Sequence, residues 1–511
     1  RDDGEDDNDD NDDFLDAFDL CPKGDRAWLS TSENDHDQDG CRDASEDLDD
    51  DNEGIADGND ACATGVLTPG NDLDSDGCKD EVDLDDDNDG TRDVADFCPR
   101  VPNPLQAVGE VLDELSDALG ESVGDFGVGS PVANMGDLNG DGVNELAVGG
   151  ARVWTHILSS DGTVASSHQF NIPSGFDLSG FSNSFGHALT NLGDLDGDGN
   201  NEFVSGDPRR AGGGWERGGV TVWFFNADGT TKSFQHITAG VGGFTGVLGG
   251  SDHFGWSVAG LGDLDGDGIN DLAVGARNDD DGGSDRGAVW ILFLNADGTV
   301  KGHQKISANA GGFAGILADG SRFGRALANI GDVDGDGVKD LAVGGPYNGD
   351  GGTQRGAIWI LFLNTSGTVK NHQKISDLHG AFDGELDNND HFGYAVANLG
   401  DLDGNGVNDL AVGAHGDDDG FSSAGAVWIL FLEADGTVKS HQKISATEGG
   451  FTGPVGASDL FGASVANLGD LDGDGVSDLV VGARGDDAPG GWNTARGAIW
   501  ILFLNVDGTV K

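Results

Sequence analysis

One decapeptide pattern, D-x-[DN]-G-[DN]-G-x-x-[DE]-[LF], recurs at Asp137, Asp194, Asp263, Asp332, Asp401 and Asp470, at intervals of 57, 69, 69, 69 and 69 residues. A fixed period over most of a 511-residue chain means one supersecondary unit stacked on copies of itself, so the unit must be read before any single element. In the third copy it runs FGWSVAGLGDLDGDGINDLAVGA from Phe254, then a polar stretch to Arg286, then GAVWILFLNADGTVKGHQKIS from Gly287, then a Gly-rich connector. Apolar runs of strand length separated by Asp-Gly turns predict four strands per unit. No unit holds a helix-period stretch of ten residues, so four-stranded propeller blades are expected rather than a helical solenoid. The first unit is shorter because its connection from Gly149 to Arg152, between the second and third strands, is nearly absent.

Within each decapeptide the oxygen-bearing residues alternate, which aims them at one centre, and glycines supply the positive-φ turns. Positions one, three, five and nine offer side chains, and position seven offers a backbone carbonyl. The sets are Asp137, Asn139, Asp141, Val143 and Glu145; Asp194, Asp196, Asp198, Asn200 and Glu202; Asp263, Asp265, Asp267, Ile269 and Asp271; Asp332, Asp334, Asp336, Val338 and Asp340; Asp401, Asp403, Asn405, Val407 and Asp409; and Asp470, Asp472, Asp474, Val476 and Asp478. Oxygen-only ligands favour Ca²⁺ over a transition metal. An EF-hand would need Glu at the twelfth position, where Ser205 and Val274 stand instead.

Residues 1–100 are built differently, with 37 acids against 7 bases and all five cysteines, Cys21, Cys41, Cys62, Cys78 and Cys98. The acids keep the register D-x-D-x-D-G-x-x-D at Asp35, Asp37, Asp39 and Asp43; at Asp72, Asp74, Asp76 and Asp80; and at Asp85, Asp87, Asp89 and Asp93. A looser copy has Asp49, Asp51, Glu53 and Asp57, and a degraded fifth spans Asn8 to Asp16. The competing reading of this segment is a solvated acidic linker. Five cysteines by themselves allow fifteen connectivities.

The phased Asp loops, Cys21-Pro22 and the run DFCPRVPNPLQ from Asp96 make this arm resemble thrombospondin type 3 repeats. The resemblance implies a rod held by metal and by disulfides between successive repeats: Cys41 with Cys62, Cys78 with Cys98, and Cys21 left for a cysteine outside this chain. Disulfides place it in an oxidising compartment. The Phe-Gly pairs that begin the units at Phe185, Phe254, Phe323, Phe392 and Phe461, with the GDLDGDG…DLAVGA block, resemble FG-GAP repeats of integrin α-subunit propellers. That resemblance implies Ca²⁺ loops between the first two strands of each blade, on one face, and ligand-binding loops on the opposite face. It also implies seven blades against six units here, so a seventh unit, residues 107–125 or a neighbouring subunit would complete the disc, the last of these by strand exchange.

The domain reading is therefore an arm over 1–104, a linker over 105–125 with the spacing of a short amphipathic helix or a closing strand, and an all-β propeller over 126–511. With no initiator Met at Arg1 and an end at Lys511 inside a fourth strand, the chain reads as a processed product or a piece of a longer one.

The net charge of −66 excludes a nucleic-acid binder, and the longest apolar runs, such as Ala288–Leu294, are too short to span a membrane. About six Ca²⁺ in the propeller and four to five in the arm would bring the charge of −66 to about −44. The expected function is an extracellular or cell-surface calcium-binding structural or adhesion protein, not an enzyme, whose partner is an extracellular protein, a glycan or another copy of itself in a filament or layer. A polysaccharide lyase or hydrolase would need a nonrepeating cluster of His, Arg, Tyr or carboxylates on one face, which blades three to six look too alike to assemble.

Four other features invite a site. Trp154, Trp223, Trp290, Trp359, Trp428 and Trp500 recur in the third strands, where core packing outweighs sugar stacking as a reading. His303, His372 and His441 recur with the period and read as structural. Arg484-Gly485-Asp486 spells a tripeptide that integrins bind, but the parallel stretches RNDDDGG and HGDDDG make it repeat drift. His187, Arg209, Arg210, Trp215 and Glu216 in the divergent second unit form a weaker recognition candidate, against ordinary loop variation.

Overall fold

The computed structural model describes residues 131–136, 143–149, 153–159, 163–169, 186–209, 216–226, 231–486 and 497–511. The whole arm, its calcium loops and cysteines, the 105–125 segment, and Asp137, Asn139 and Asp141 of the first loop lie outside the described residues. All regular elements among the described residues are strands, and no helix among them is long and apolar enough to cross a membrane.

Each unit folds as its own antiparallel sheet with strands in sequence order, five sheets of four strands and a last one of three. In the third blade the strands are Phe254–Gly262, Asp271–Ala276, Ala288–Leu294 and Val300–Ile306. The second and third strands are apolar on both faces because a blade is covered on both sides by its neighbours, which is why DLAVGA and AVWILFL read as continuous runs rather than alternations. The fourth strand lies outermost and shows mixed exposure. In the sixth blade the three strands are followed by a single bridge between Leu504 and Val510.

The first strands of the six blades face one another in turn around a ring that closes, the first blade meeting the sixth. The seam is repeated in detail. Asn191 Nδ2 donates to Met135 O at 2.9 Å, Asn398 Nδ2 to Asn329 O at 3.0 Å, and Asn467 Nδ2 to Asn398 O at 2.9 Å. The first blade closes the ring with the same bond, Asn134 Nδ2 to Asn467 O at 3.0 Å, reinforced by Asn144 Nδ2 to Leu468 O at 2.7 Å. The seven-bladed disc is thereby corrected: six blades fill the circle, and no gap is left for a seventh unit or an exchanged strand at this seam.

Between blades the core is a layer of aromatic and branched side chains. Phe313, from the Gly-rich connector, stacks on Phe323 at 5.2 Å, and Phe323 meets the edge of Trp359 at 5.5 Å, with Phe323 and Trp359 fully buried. Phe382 stacks on Phe392 and meets Trp428 at an edge, and Phe451 does the same with Phe461 and Trp500. The third-strand tryptophans of blades two to six are thus core, as the apolar register requires, while Trp154 is half-buried. His303, His372 and His441 pack on the connector phenylalanines about 5 Å away, a structural place in each blade. The Gly of Phe-Gly is required by space: at Gly255, with φ of 87°, a Cβ would sit 2.1 Å from Gly219 O of the preceding blade.

Candidate functional site

Every first strand carries a bulge just before its final Gly, as between Asn329 and Gly331, which turns the chain out of the sheet and delivers the next Asp into the loop. The loop then winds on its own carboxylates. In the third blade Asp263 accepts the N–H groups of Gly266, Asp267 and Gly268 at 2.7, 3.0 and 2.8 Å, and Asp267 accepts that of Ile269 at 3.0 Å. The position-nine side chain is the anchor: Asp271 accepts Leu264 N–H at 3.0 Å and, from the end of the third strand, Leu294 N–H at 3.1 Å. Asp340, Asp409 and Asp478 make the same pair of bonds.

Carboxylate oxygens of positions one, three and nine come within 4.8 Å of one another in the blades of Asp194, Asp263, Asp401 and Asp470, and those of positions one, three and five do so at Asp332, Asp334 and Asp336. A cation fits this donor set. Three hard oxygens converge, and burial pushes the position-nine carboxyls up, Asp271, Asp340 and Asp409 to about 6 and Glu202 and Asp478 to about 7. Glu202 also keeps one buried oxygen with no hydrogen-bond partner. In blades two to six a lysine that follows the third strand lies over the loop: Lys232 reaches Asp196 and Asp198 at 2.7 and 2.6 Å, Lys301 reaches Asp265 at 2.9 Å and also Asp267, and Lys370 bridges Asp334 and Asp336. Lys439 and Lys511 take the same place over Asp403 and Asp472. These lysines screen the loop carboxylates and stand where a cation would compete with them.

At the other end of the same strands the repetition breaks. The residue after Phe-Gly is His187, Trp256, Arg325, Tyr394 and Ala463 in blades two to six, and all five line one cavity at the mouth of the central channel. A first strand of six to nine residues separates this mouth from the acidic loops, about 20 Å at 3.3 Å per residue. Around it stand Arg277, His415 and Arg484, which follow the second strands, and Arg322 and His391, which precede Phe-Gly. The latter two and His253 hold φ values of 54°, 60° and 58°, a left-handed backbone that a Gly would adopt freely, so a side chain is kept there against a steric cost.

The nonrepeating cluster of His, Arg and Tyr that the sequence made look hard to assemble therefore exists. It was missed because the unit was read for its identities, whereas the signal lay in the one column of Phe-Gly-x that changes from blade to blade. Of the second-unit candidates, His187 belongs to this mouth, its ring 4.1 Å from that of Trp256; Glu216 lies 3.4 Å from His253; Arg210 and Trp215 are outside the described residues. Arg484-Gly485-Asp486 forms a packed turn, with Gly485 N–H bonded to Asp459 O at 2.9 Å and the Arg484 guanidinium 5.5 Å from the Tyr394 ring.

The FG-GAP repeat profile matches residues 254–292, 323–361, 392–430 and 461–502, the first three strands of blades three to six. Among curated proteins, the chain is 33% identical to integrin alpha-6 of Gallus gallus over 215 residues, 42% of this chain and 17% of that protein. It is 36% identical to integrin alpha-V of Gallus gallus over 232 residues, 44% and 20% of the two chains, and 33% identical to integrin alpha-PS2 of Drosophila melanogaster over 234 residues, 45% and 15%. The matched region is thus about a sixth to a fifth of the length of these relatives. The chain carries FG-GAP repeats, folds as a six-bladed propeller and is similar in sequence to integrin alpha chains.

Proposed function

We propose that this protein is an extracellular, calcium-stabilised adhesion protein in which the acidic loops are structural Ca²⁺ sites and the opposite face receives a protein or glycan partner. The observation that carries the reading is the convergence of loop carboxylates in five blades, four of them tied by position nine to the end of the third strand. Asp or Glu at positions one, three and nine, with position five and the position-seven carbonyl completing the shell, would hold the ion. The bound ion would supply charge compensation and rigidity, since a site formed only in the folded state adds its binding free energy to folding. The residues that repeat serve the fold, so partner choice falls to the surface where the blades differ. The thrombospondin-like arm extends the same use of calcium to a segment with little apolar surface of its own.

Calorimetric titration of the chelated chain with Ca²⁺, alongside Mg²⁺ as a control, tests this. About six propeller sites and a chelator-reversible rise in melting temperature are expected; absence of binding and an unchanged melting profile in EDTA would overturn it. Binding of the labelled chain to an array of extracellular proteins and glycans, lost in EDTA, tests the adhesive part.

A further inference from the structure

The mouth of the channel concentrates positive charge in a chain of net charge −66. Arg277, Arg322, Arg325 and Arg484 converge there from blades three, four and six. Two arginines elsewhere take carboxylate partners, Arg286 with Asp319 at 2.7 Å and Arg355 with Asp377 at 3.1 Å. None of the four at the mouth is ion-paired with a carboxylate among the described residues. Their charge rests on ring faces instead: the Arg277 guanidinium is 3.0 Å from the Trp256 ring centroid, Arg325 is 3.7 Å from that of Tyr394, and Arg322 is 4.5 Å from that of Tyr347. The Nε groups of Arg277 and Arg325 are buried without an acceptor, although Arg325 is only 9% exposed. A buried donor left unmade is costly, and more so when it is charged.

The neighbouring groups register the same field. Burial and then Arg325 and Arg277 hold the His187 imidazole well below its ordinary range; burial, Arg484, His391 and Arg325 do so for His415. Burial alone would raise the Tyr394 phenol, yet Arg325, Arg484 and Arg277 bring it down to about 8. One negative charge would offset the part of these perturbations that the arginines cause. The cavity of about 100 Å³ has room for a few atoms, and its aromatic faces are already covered by guanidinium groups, so a single charged group fits where a sugar ring has no open face to stack on.

We propose that the channel mouth is a binding site for one oxyanion group, of the carboxylate or sulfate type, either free or carried on an acidic peptide. Arg325, which lines the cavity, donates to it, and Arg277 and Arg484, packed on the Trp256 and Tyr394 rings beside it, add their charge. The site uses none of the metal-loop residues and stands or falls separately from the calcium reading.

The test uses the whole chain in saturating Ca²⁺ at constant ionic strength, exchanging sodium chloride for sodium sulfate or sodium acetate and following the melting temperature. A saturable rise of about 1–2 °C is expected, and Arg325→Met should abolish it while remaining folded, because an apolar replacement removes an uncompensated buried charge. Arg484→Gln, at the half-exposed edge, should weaken the response several-fold and serves if the first variant fails to fold. A fluorescent oligo-aspartate peptide then separates the sources: displacement of the peptide by sulfate assigns a carried carboxylate, and a sulfate response with no peptide binding assigns a free anion. The same melting curve in chloride and sulfate for the unmodified chain, or an equal response in chain and variants, overturns the proposal.

Discussion

The two faces of the propeller solve opposite problems with the same strands. On one, a loop of fixed sequence recurs every 69 residues, with the same carboxylates, the same backbone bonds and the same overlying lysine. On the other, the residue after each Phe-Gly is different, and the side chains meet only once, at the common axis. Periodic residues act within their own blade and sum over the ring, so they contribute to stability. An axial site is shared by all the blades, so specificity there requires them to diverge. The cations differ accordingly: five lysines lie over the acidic loops, Lys305, Lys374 and Lys443 pair with aspartates that follow the second strands, and arginines without a carboxylate partner gather at the mouth.

Interventions can break this contrast, and their sizes should descend from the repeated face to the unique one. Chelation acts on all loops together. With Ca²⁺ at ten times the site dissociation constant each site contributes about 1.4 kcal/mol, so emptying six costs about 8 kcal/mol, read as a large fall in denaturation midpoint. Removing one anchor, in Asp271→Ala, Asp340→Ala or Asp409→Ala, strips two buried N–H groups of their acceptor and should cost about 2–5 kcal/mol by urea unfolding, with one Ca²⁺ lost in each. Equal losses in the three variants would sharpen the equivalence of the blades, and unequal ones would break it.

Acid should act through the mouth. The His415 imidazole, beside Arg484, His391 and Arg325, is held below its ordinary pKa of 6.5 in the folded chain. Below pH 6.5 the unfolded chain takes a proton at this residue that the folded one refuses, so its contribution to stability falls as pH drops, while that of the raised position-nine carboxyls runs the other way. That residue contributes up to about 1.4 kcal/mol per pH unit, and His415→Gln should flatten the slope by that amount. A single seam variant, Asn398→Ala, should cost about 1 kcal/mol in the same assay. Smallest of all, Arg325→Met should change stability by less than about 1 kcal/mol in either direction, even though it removes the anion response.

The blade, its four strands and the acidic loops were legible in the sequence because they repeat: periodicity in Phe254–Gly262 and Ala288–Leu294 reports burial on both sides directly. The number of blades in the closed ring was not. It depends on the angle between neighbouring sheets, which is set by Asn seams and connector phenylalanines whose reach a pattern does not encode. The mouth was hidden for a different reason. Trp256, Arg325 and Tyr394 stand 69 residues apart in sequence, and nothing local marks them as neighbours until the strands are wrapped around an axis.

The seam has a consequence for assembly. Most blades offer their neighbour the same Asn donor, as in the alike bonds Asn398 to Asn329 O and Asn467 to Asn398 O, but the third has Gly260 at that place and joins the second through Asn270 Nδ2 to Leu192 O at 2.7 Å. The seam therefore marks that one junction and records little of the order of the others. The axial residues record more, because His187 of the second blade meets Trp256 of the third, and Arg325 of the fourth meets Tyr394 of the fifth. The mouth of the channel is thus the place where the sequence order of near-identical units becomes a chemical fact.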